Sequence, residues 1–184
     1  LKGGFHYWDG QIELAERLCV ELALDAQSHG AEIRTHSRVE LPVLADGKVT
    51  GVTYRDLISG HIHTVQAPVI YNVAGPWIDR VFTQSNQMPA QPRLNGGTKG
   101  SHLIVDAFPG APKEVIYYET RTDGRLILVI PWLGKYMLGT TDIRWENDPG
   151  DARCDIGELE YLLREVNALI PEANLSIDDV LYTY

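Results

Sequence analysis

The chain has 184 residues, 44% hydrophobic and 22% charged, a composition that can bury the core of one or two domains and excludes an intrinsically disordered chain. Its formal charge of −9 excludes a nucleic-acid partner, because affinity for phosphate backbones comes from clustered Lys and Arg, yet leaves room for a small anion held by a few local cations. The two cysteines, Cys19 and Cys154, form no Cys-x-x-Cys pair, so neither a disulfide framework nor a zinc site is indicated and a reducing, cytoplasmic setting is expected; no apolar run approaches the ~20 residues that span a bilayer.

Asp9 reads as a helix cap, followed by Ile12, Ala15, Cys19, Leu22, Ala23 and Ala26 at spacings of three and four and by Gly30 as a stop. That pattern predicts an amphipathic helix of about five turns that packs on a sheet. Ala31 to Glu40 alternates Ile33, Thr35, Ser37 and Val39 with polar residues, as a half-buried strand does. Asp46-Gly47 and Ser59-Gly60 then separate short strand-like runs and predict an antiparallel meander. The apolar run Val69–Val73 reads as a strand returning to a buried sheet, ended by Ala74-Gly75-Pro76, and Trp77, Ile78, Val81 and Phe82 suggest a helix that Pro76 starts.

Residues 83–97, rich in Gln, Pro, Asn and Gly, read as a connection. Four strands are expected near 98–106, 114–119, 125–131 and 136–142, divided by Pro109-Gly110, Asp123-Gly124 and Leu133-Gly134, which favours antiparallel neighbours. A helix near 155–169 carries Ile156, Leu159, Leu162, Leu163, Val166 and Leu169 on one face, with Asp155 as its cap and Pro171 beyond its end. A last strand is expected near 178–184. The fold class is therefore α/β (α+β).

Four runs carry the chemistry: Asn72-Val73-Ala74-Gly75-Pro76-Trp77, Lys99-Gly100-Ser101-His102, Ile130-Pro131-Trp132 and Gly139-Thr140-Thr141-Asp142. The first is a strand-turn-helix, where a glycine ahead of a helix N-terminus lets a ligand approach the backbone, although such a turn also serves as plain punctuation. His102 shares a strand face with Ile104 and is either a proton acceptor tuned by apolar surroundings or a satisfied core histidine. Thr140 ends a strand, where its hydroxyl binds a substrate oxygen or satisfies a turn. His61-x-His63 has no third ligand and reads as exposed, the acid-rich stretch Glu146–Asp155 lacks calcium-loop spacing, and Arg125 reads as a surface ion-pair partner.

With the opening Gly4-Phe5-His6-Tyr7-Trp8-Asp9 and the closing Asp178-Asp179-Val180-Leu181-Tyr182-Thr183-Tyr184, these runs resemble, in order and spacing, the FAD-dependent glycerol-3-phosphate dehydrogenase family, within the D-amino-acid-oxidase-like flavoproteins. The resemblance implies that residues 1–82 are the central part of an FAD-binding domain and that 83–184 belong to an antiparallel-sheet substrate domain flanked by helices and truncated at its C-terminus. Such enzymes begin with a Gly-x-Gly-x-x-Gly turn for the FAD pyrophosphate, which this sequence lacks, so a central fragment, inactive alone, is expected. By the resemblance, Val39, Ala74, Gly75 and Trp77 lie beside FAD. His102 takes the C2 hydroxyl proton, and Thr140 contacts substrate. The parent enzyme is expected to oxidise sn-glycerol 3-phosphate to dihydroxyacetone phosphate, pass electrons to quinone and sit peripherally on the cytoplasmic face of a membrane. A Gly-x-Arg-Pro run beyond Tyr184 supplies the substrate cation in similar chains. One departure stands near the start: Arg17 is displaced by one position from the family pattern, which turns it about 100° around a helix. The alternatives are a related amine or amino-acid oxidase and a non-catalytic interaction domain on a degenerate flavoprotein scaffold.

Overall fold

A computed structural model describes residues 3–83 and 93–184, in which helices combine with antiparallel sheets. The chain divides into two compact units, Leu1–Thr35 and His36–Tyr184.

The first unit contains α1 (Ala15–Ser28), 14 residues long and about four turns rather than five. Asp9 does not cap it: its carboxylate accepts the Gly10 N–H at 2.7 Å, and Leu14 occupies the cap position without a side-chain bond. The stop at Gly30 is a left-handed C-cap, with φ +94°, in which Gly30 N–H bonds Gln27 O and Ala31 N–H bonds Ala26 O, both at 3.0 Å. This is the Schellman arrangement, and it satisfies carbonyls the helix end would orphan. Arg17 pairs with Glu21 one turn on, at 2.7 Å.

In the second unit β1 (Ser37–Ala45), β2 (Lys48–Asp56) and β3 (Ile62–Gln66) form the expected antiparallel meander. Asp46 and Gly47, at φ 49° and 73°, make the two-residue turn between β1 and β2, as a primed hairpin turn requires. The Asp56 carboxylate accepts the Ile58 and Ser59 N–H groups in the β2–β3 loop, at 2.8 and 3.2 Å. β1 begins at Ser37, not at Ala31, because His36 takes a left-handed φ of 54° that no strand propagates through. The run Val69–Val73 is not a strand either. No described strand pairs with it, and Val69, Tyr71 and Val73 are exposed. Asn72 there bonds locally, its Oδ1 accepting from Ala74 N–H (3.2 Å) and its Nδ2 donating to Ile78 O (3.0 Å), which replaces the ladder. Gly75–Trp77 is a 3-10 turn with Pro76 in its first positions, leading into α2 (Ile78–Thr83), which lies against β1. Of the expected connection at 83–97, residues 84–92 lie outside those described.

β4 (Thr98–Lys99) and β9 (Ile143–Arg144) form a two-stranded ribbon. β5 (His102–Val105), β6 (Ile116–Glu119), β7 (Leu126–Trp132), β8 (Lys135–Gly139) and β10 (Val180–Thr183) form a five-stranded sheet in the order β10-β5-β8-β7-β6, antiparallel throughout. The expected strand at 98–106 thus breaks at Gly100-Ser101, and the one at 136–142 ends at Gly139. At both breaks a side chain intervenes, the Thr141 hydroxyl accepting Ser101 N–H at 2.8 Å. Leu133-Gly134 and Asp123-Gly124 turn true hairpins, whereas Pro109-Gly110 lies on a connection that carries the chain from β5 to the far edge strand.

α3 (Ile156–Leu169) starts at the expected cap: Asp155 accepts Glu158 N–H and Glu158 accepts Asp155 N–H, each at 3.0 Å. Its buried stripe, Leu162, Leu163 and Val166, packs on Leu103, Val105, Ile127, Val129 and Leu138 to make the core. Each of these side chains contributes about 1.5–3 kcal/mol by burial. Beyond α3 the Asn167 side chain clamps both backbone groups of Leu175 at 2.8 Å, and the chain returns as β10 beside β5.

Candidate functional site

Strand alternation divides the Lys99–Val105 segment between two faces. Leu103 and Val105 point into the core beneath α3, and Ser101 points the same way, to the Glu158 carboxylate. His102 is therefore on the opposite face, where the Tyr184 ring stacks on it at 5.2 Å and 17°. The backbones of these two residues exchange hydrogen bonds, His102 N–H to Tyr184 O at 2.8 Å and the reverse at 3.2 Å. Gly139 is the cross-strand partner of His102, and a Cβ there would fall 2.6 Å from His102 Cδ2, so a bare backbone forms part of the imidazole's seat. Burial lowers the His102 pKa below the ordinary histidine value, which keeps the ring neutral and able to accept a proton at neutral pH.

Thr140 follows Gly139 at the end of β8 and lies against Gly100, where an added Cβ would clash with the Thr140 hydroxyl. Its Oγ1 donates to Thr141 O at 2.8 Å, which leaves the oxygen's lone pairs as acceptors. The structure thus brings Thr140 and His102 to the ends of neighbouring strands.

Beneath them sits a carboxylate that sequence reasoning missed. Glu158, 2% exposed, accepts Ser101 Oγ (3.0 Å) and Thr141 Oγ1 (2.6 Å) on one oxygen, and Lys99 Nζ (2.7 Å) and Asp155 N–H (3.0 Å) on the other. Burial alone would raise its pKa, but the bonds from Lys99, Thr141, Asp155 and Ser101 outweigh it and hold the group below the usual carboxylate range. Lys99 also donates to Arg153 O (2.8 Å) and Asp155 (3.1 Å) and lies over the Trp145 ring at 5.0 Å. Its bond with Glu158 raises its pKa. Two signals could have found Glu158: the Asp155-x-x-Glu158 spacing of a capping box, and its place four residues before Leu162 on the apolar stripe. Tyr184 and Gly139 belong to runs singled out in the sequence, but their contact with His102 carried no such signal, since each reaches it only through strand pairing.

The candidate cofactor residues lie elsewhere in the same unit. Gly75 has a φ of +55°, and nothing lies within 4 Å of where its Cβ would be, so the turn has room for a ligand against its backbone. Ala74 precedes it, and Trp77 is partly exposed with its indole N–H on Asp148 at 3.3 Å. Val39, on β1, is also partly exposed, and the α2–β1 packing brings its strand and the Ala74–Trp77 turn into one neighbourhood. A cleft of about 420 Å³ opens beside this turn, bordered by Pro76, Asp79, Arg80, Lys99, Gly100 and Trp145 among others. Its walls are tied by Asp79 accepting the Leu94 and Asn95 N–H groups (2.8 and 3.0 Å) and by the Arg80–Asp148 and Arg93–Glu146 pairs (2.7 and 2.5 Å). These residues fit a group that approaches along the backbone at Gly75.

The remaining candidates have structural partners. Arg125 pairs with Asp123 (3.3 Å) and donates to Asp142 O (2.5 Å). His63 stacks on Tyr54 at 5.1 Å. In the acid-rich stretch, Glu146 and Asp148 serve ion pairs, Asp148 also accepts Gly150 N–H at 2.8 Å, and Asp155 caps α3.

The protein-family model described as FAD dependent oxidoreductase matches residues 1–184. A glycerol-3-phosphate dehydrogenase of Synechocystis sp. is 40% identical over all of this chain, which covers 35% of that protein. An alpha-glycerophosphate oxidase of Streptococcus pneumoniae is 35% identical over 98% of the chain, which covers 30% of it. Among solved structures, the glycerol-3-phosphate dehydrogenase from Bacillus halodurans complexed with FAD matches with a TM-score of 0.80 and 31% identity, over 91% of this chain and 34% of that one. The chain thus spans about a third of the length of these relatives.

Proposed function

The chain belongs to the FAD-dependent oxidoreductase family, and from that premise we propose that the protein containing it oxidises sn-glycerol 3-phosphate to dihydroxyacetone phosphate and passes the electrons to a quinone. The single observation that carries this reading is the seat of His102: a half-buried imidazole stacked on Tyr184 and set against the bare backbone of Gly139, with its pKa lowered by burial. Relatives named for glycerol 3-phosphate support the substrate.

His102 takes the proton of the C2 hydroxyl as the carbonyl forms, a role for which a neutral ring is required. Thr140 orients a substrate oxygen through its free lone pairs. Val39, Ala74, Gly75 and Trp77 hold FAD, whose bound flavin supplies the acceptor for the hydride leaving C2. In domain terms, residues 1–82 serve the cofactor and 83–184 the substrate. A quinone dissolves in a bilayer, so the parent protein would meet its acceptor peripherally, on the cytoplasmic face of the membrane. No helix among the described residues is long and apolar enough to cross one. Because the chain spans about a third of its relatives, activity is assigned to the protein containing it, and the chain alone is expected not to turn over.

The test is anaerobic bleaching of flavin in the full protein on addition of glycerol 3-phosphate, paired with His102→Asn. The parent should bleach rapidly, and the variant about a hundredfold or more slowly with FAD still bound. Rapid bleaching by the variant would remove His102 as the base. A parent that holds FAD but does not bleach would overturn the substrate and point to an amine or amino-acid oxidase. Oxygen uptake that needs no quinone would replace the acceptor.

A further inference from the structure

Glu158 lies across the sheet from His102, yet its partners are the immediate neighbours of both proposed reactive side chains. Ser101 precedes His102 and Thr141 follows Thr140, and both hydroxyls bond the same carboxylate oxygen, at 3.0 and 2.6 Å. The two backbones are joined there as well: Ser101 N–H bonds the Thr141 hydroxyl at 2.8 Å, and Thr141 N–H bonds Ser101 O at 3.3 Å. This junction stands where regular pairing stops, because β5 begins at His102 and β8 ends at Gly139. Side-chain bonds, rather than a continuing ladder, therefore set the height and rotation of the two strand ends.

We propose that Glu158 is a positioning residue, which fixes His102 and Thr140 on the open face of the sheet by gripping Ser101 and Thr141 on the other. This deepens, and rests on, the reading that His102 takes the substrate proton. The chemistry of the grip requires an ionised carboxylate. Four donors converge on it, and only a group with two oxygens and no proton of its own accepts all four. Lys99 compensates the charge, and the first turn of α3 adds the positive end of a helix dipole. The grip reaches each reactive side chain through one peptide link, Ser101 to His102 at the start of β5 and Thr141 to Thr140 just beyond β8.

The experiment uses the full flavoprotein with Thr141→Val, Thr141→Ser and Ser101→Ala. Two readouts are taken: the rate constant of anaerobic flavin reduction by glycerol 3-phosphate, separated from its apparent Kd, and the pH dependence of His102 modification by diethyl pyrocarbonate, resolved by peptide mass. Thr141→Val and Ser101→Ala should slow reduction about tenfold to a hundredfold, the scale of a reacting group misplaced by about 1 Å, with FAD content unchanged. Both should also shift the His102 modification profile, and Thr141→Ser should restore both readouts. Rates and profiles equal to the parent in all variants would overturn the proposal. So would a rate loss that follows FAD loss and is not rescued by Thr141→Ser, since that marks a scaffold role alone. If the parent is not reduced by glycerol 3-phosphate but the modification profile shifts as described, the substrate assignment fails while the positioning of His102 by Glu158 stands.

Discussion

At the scale of single residues, the Lys99–Glu158 pair has the largest energetic stake, because Glu158 is fully buried and Lys99 nearly so. Removing one partner of such a pair costs about 3–5 kcal/mol, as it leaves the other charge and the remaining donors uncompensated. Glu158→Ala should lower the urea midpoint accordingly, and a loss below about 1 kcal/mol would contradict the network. The pH dependence follows from the two shifts. The lowered Glu158 pKa contributes stability above the unfolded carboxylate value, lost as pH falls through the folded one. The raised Lys99 pKa contributes stability below the ordinary lysine value, lost as pH rises through the folded one. The pair's contribution is therefore full between about pH 5 and about pH 10, and Glu158→Ala should flatten the acid limb of the stability profile. The candidate reactive group, His102, was legible as a motif member on an apolar strand, but the groups that seat its ring, Tyr184 and Gly139, were not, since they come from distant sequence.

Elements whose local signals were complete formed where expected. α3 has a capping box, an apolar stripe and a following proline, and it spans Ile156–Leu169. The β1–β2 hairpin has Asp46-Gly47 with both residues at positive φ. Elements whose signal was only an apolar or alternating run fared worse, because such a run becomes a strand only when a neighbour takes up its backbone groups. Val69–Val73 pairs with no described strand and stays irregular, whereas β2 lies between β1 and β3 and is half-buried along its length. Within β2, Gly51 meets the backbone of β3, where an added Cβ would collide with Val65 O. Gly51→Ala should cost about 1–3 kcal/mol through forced separation of the two strands, read as a lowered thermal midpoint. An unchanged midpoint would show that β3 is free to move away.

For the whole molecule, the distribution of apolar surface is uneven. One face of the five-stranded sheet is closed by α3, while Val69, Tyr71 and Val73 are 60%, 82% and 87% exposed, and Tyr182 and Tyr184 on β10 and beyond are more than half exposed. Exposed apolar patches and unpaired strand edges favour association. The isolated chain should bind a hydrophobic dye such as ANS and sediment as a concentration-dependent mixture of species. A single monomeric boundary across a hundredfold range of concentration would count against this.

Sequence by itself determined the family, through short runs in a fixed order and spacing, and the elements whose start and stop are written in adjacent residues: the Schellman end of α1, the meander turns, the capped α3. Tertiary structure alone decided the rest. Where β5 breaks, which strands lie beside it, and that Lys99, Ser101 and Thr141 meet on Glu158 all depend on residues distant in the chain, from 17 positions apart for Thr141 and Glu158 to 59 for Lys99 and Glu158 and further still for β5 and β10. Helix caps and hairpin turns are satisfied by neighbours in sequence, so their residues announce them. A buried carboxylate and a seated imidazole are satisfied across the fold, and strand order, which no local pattern encodes, chooses their partners.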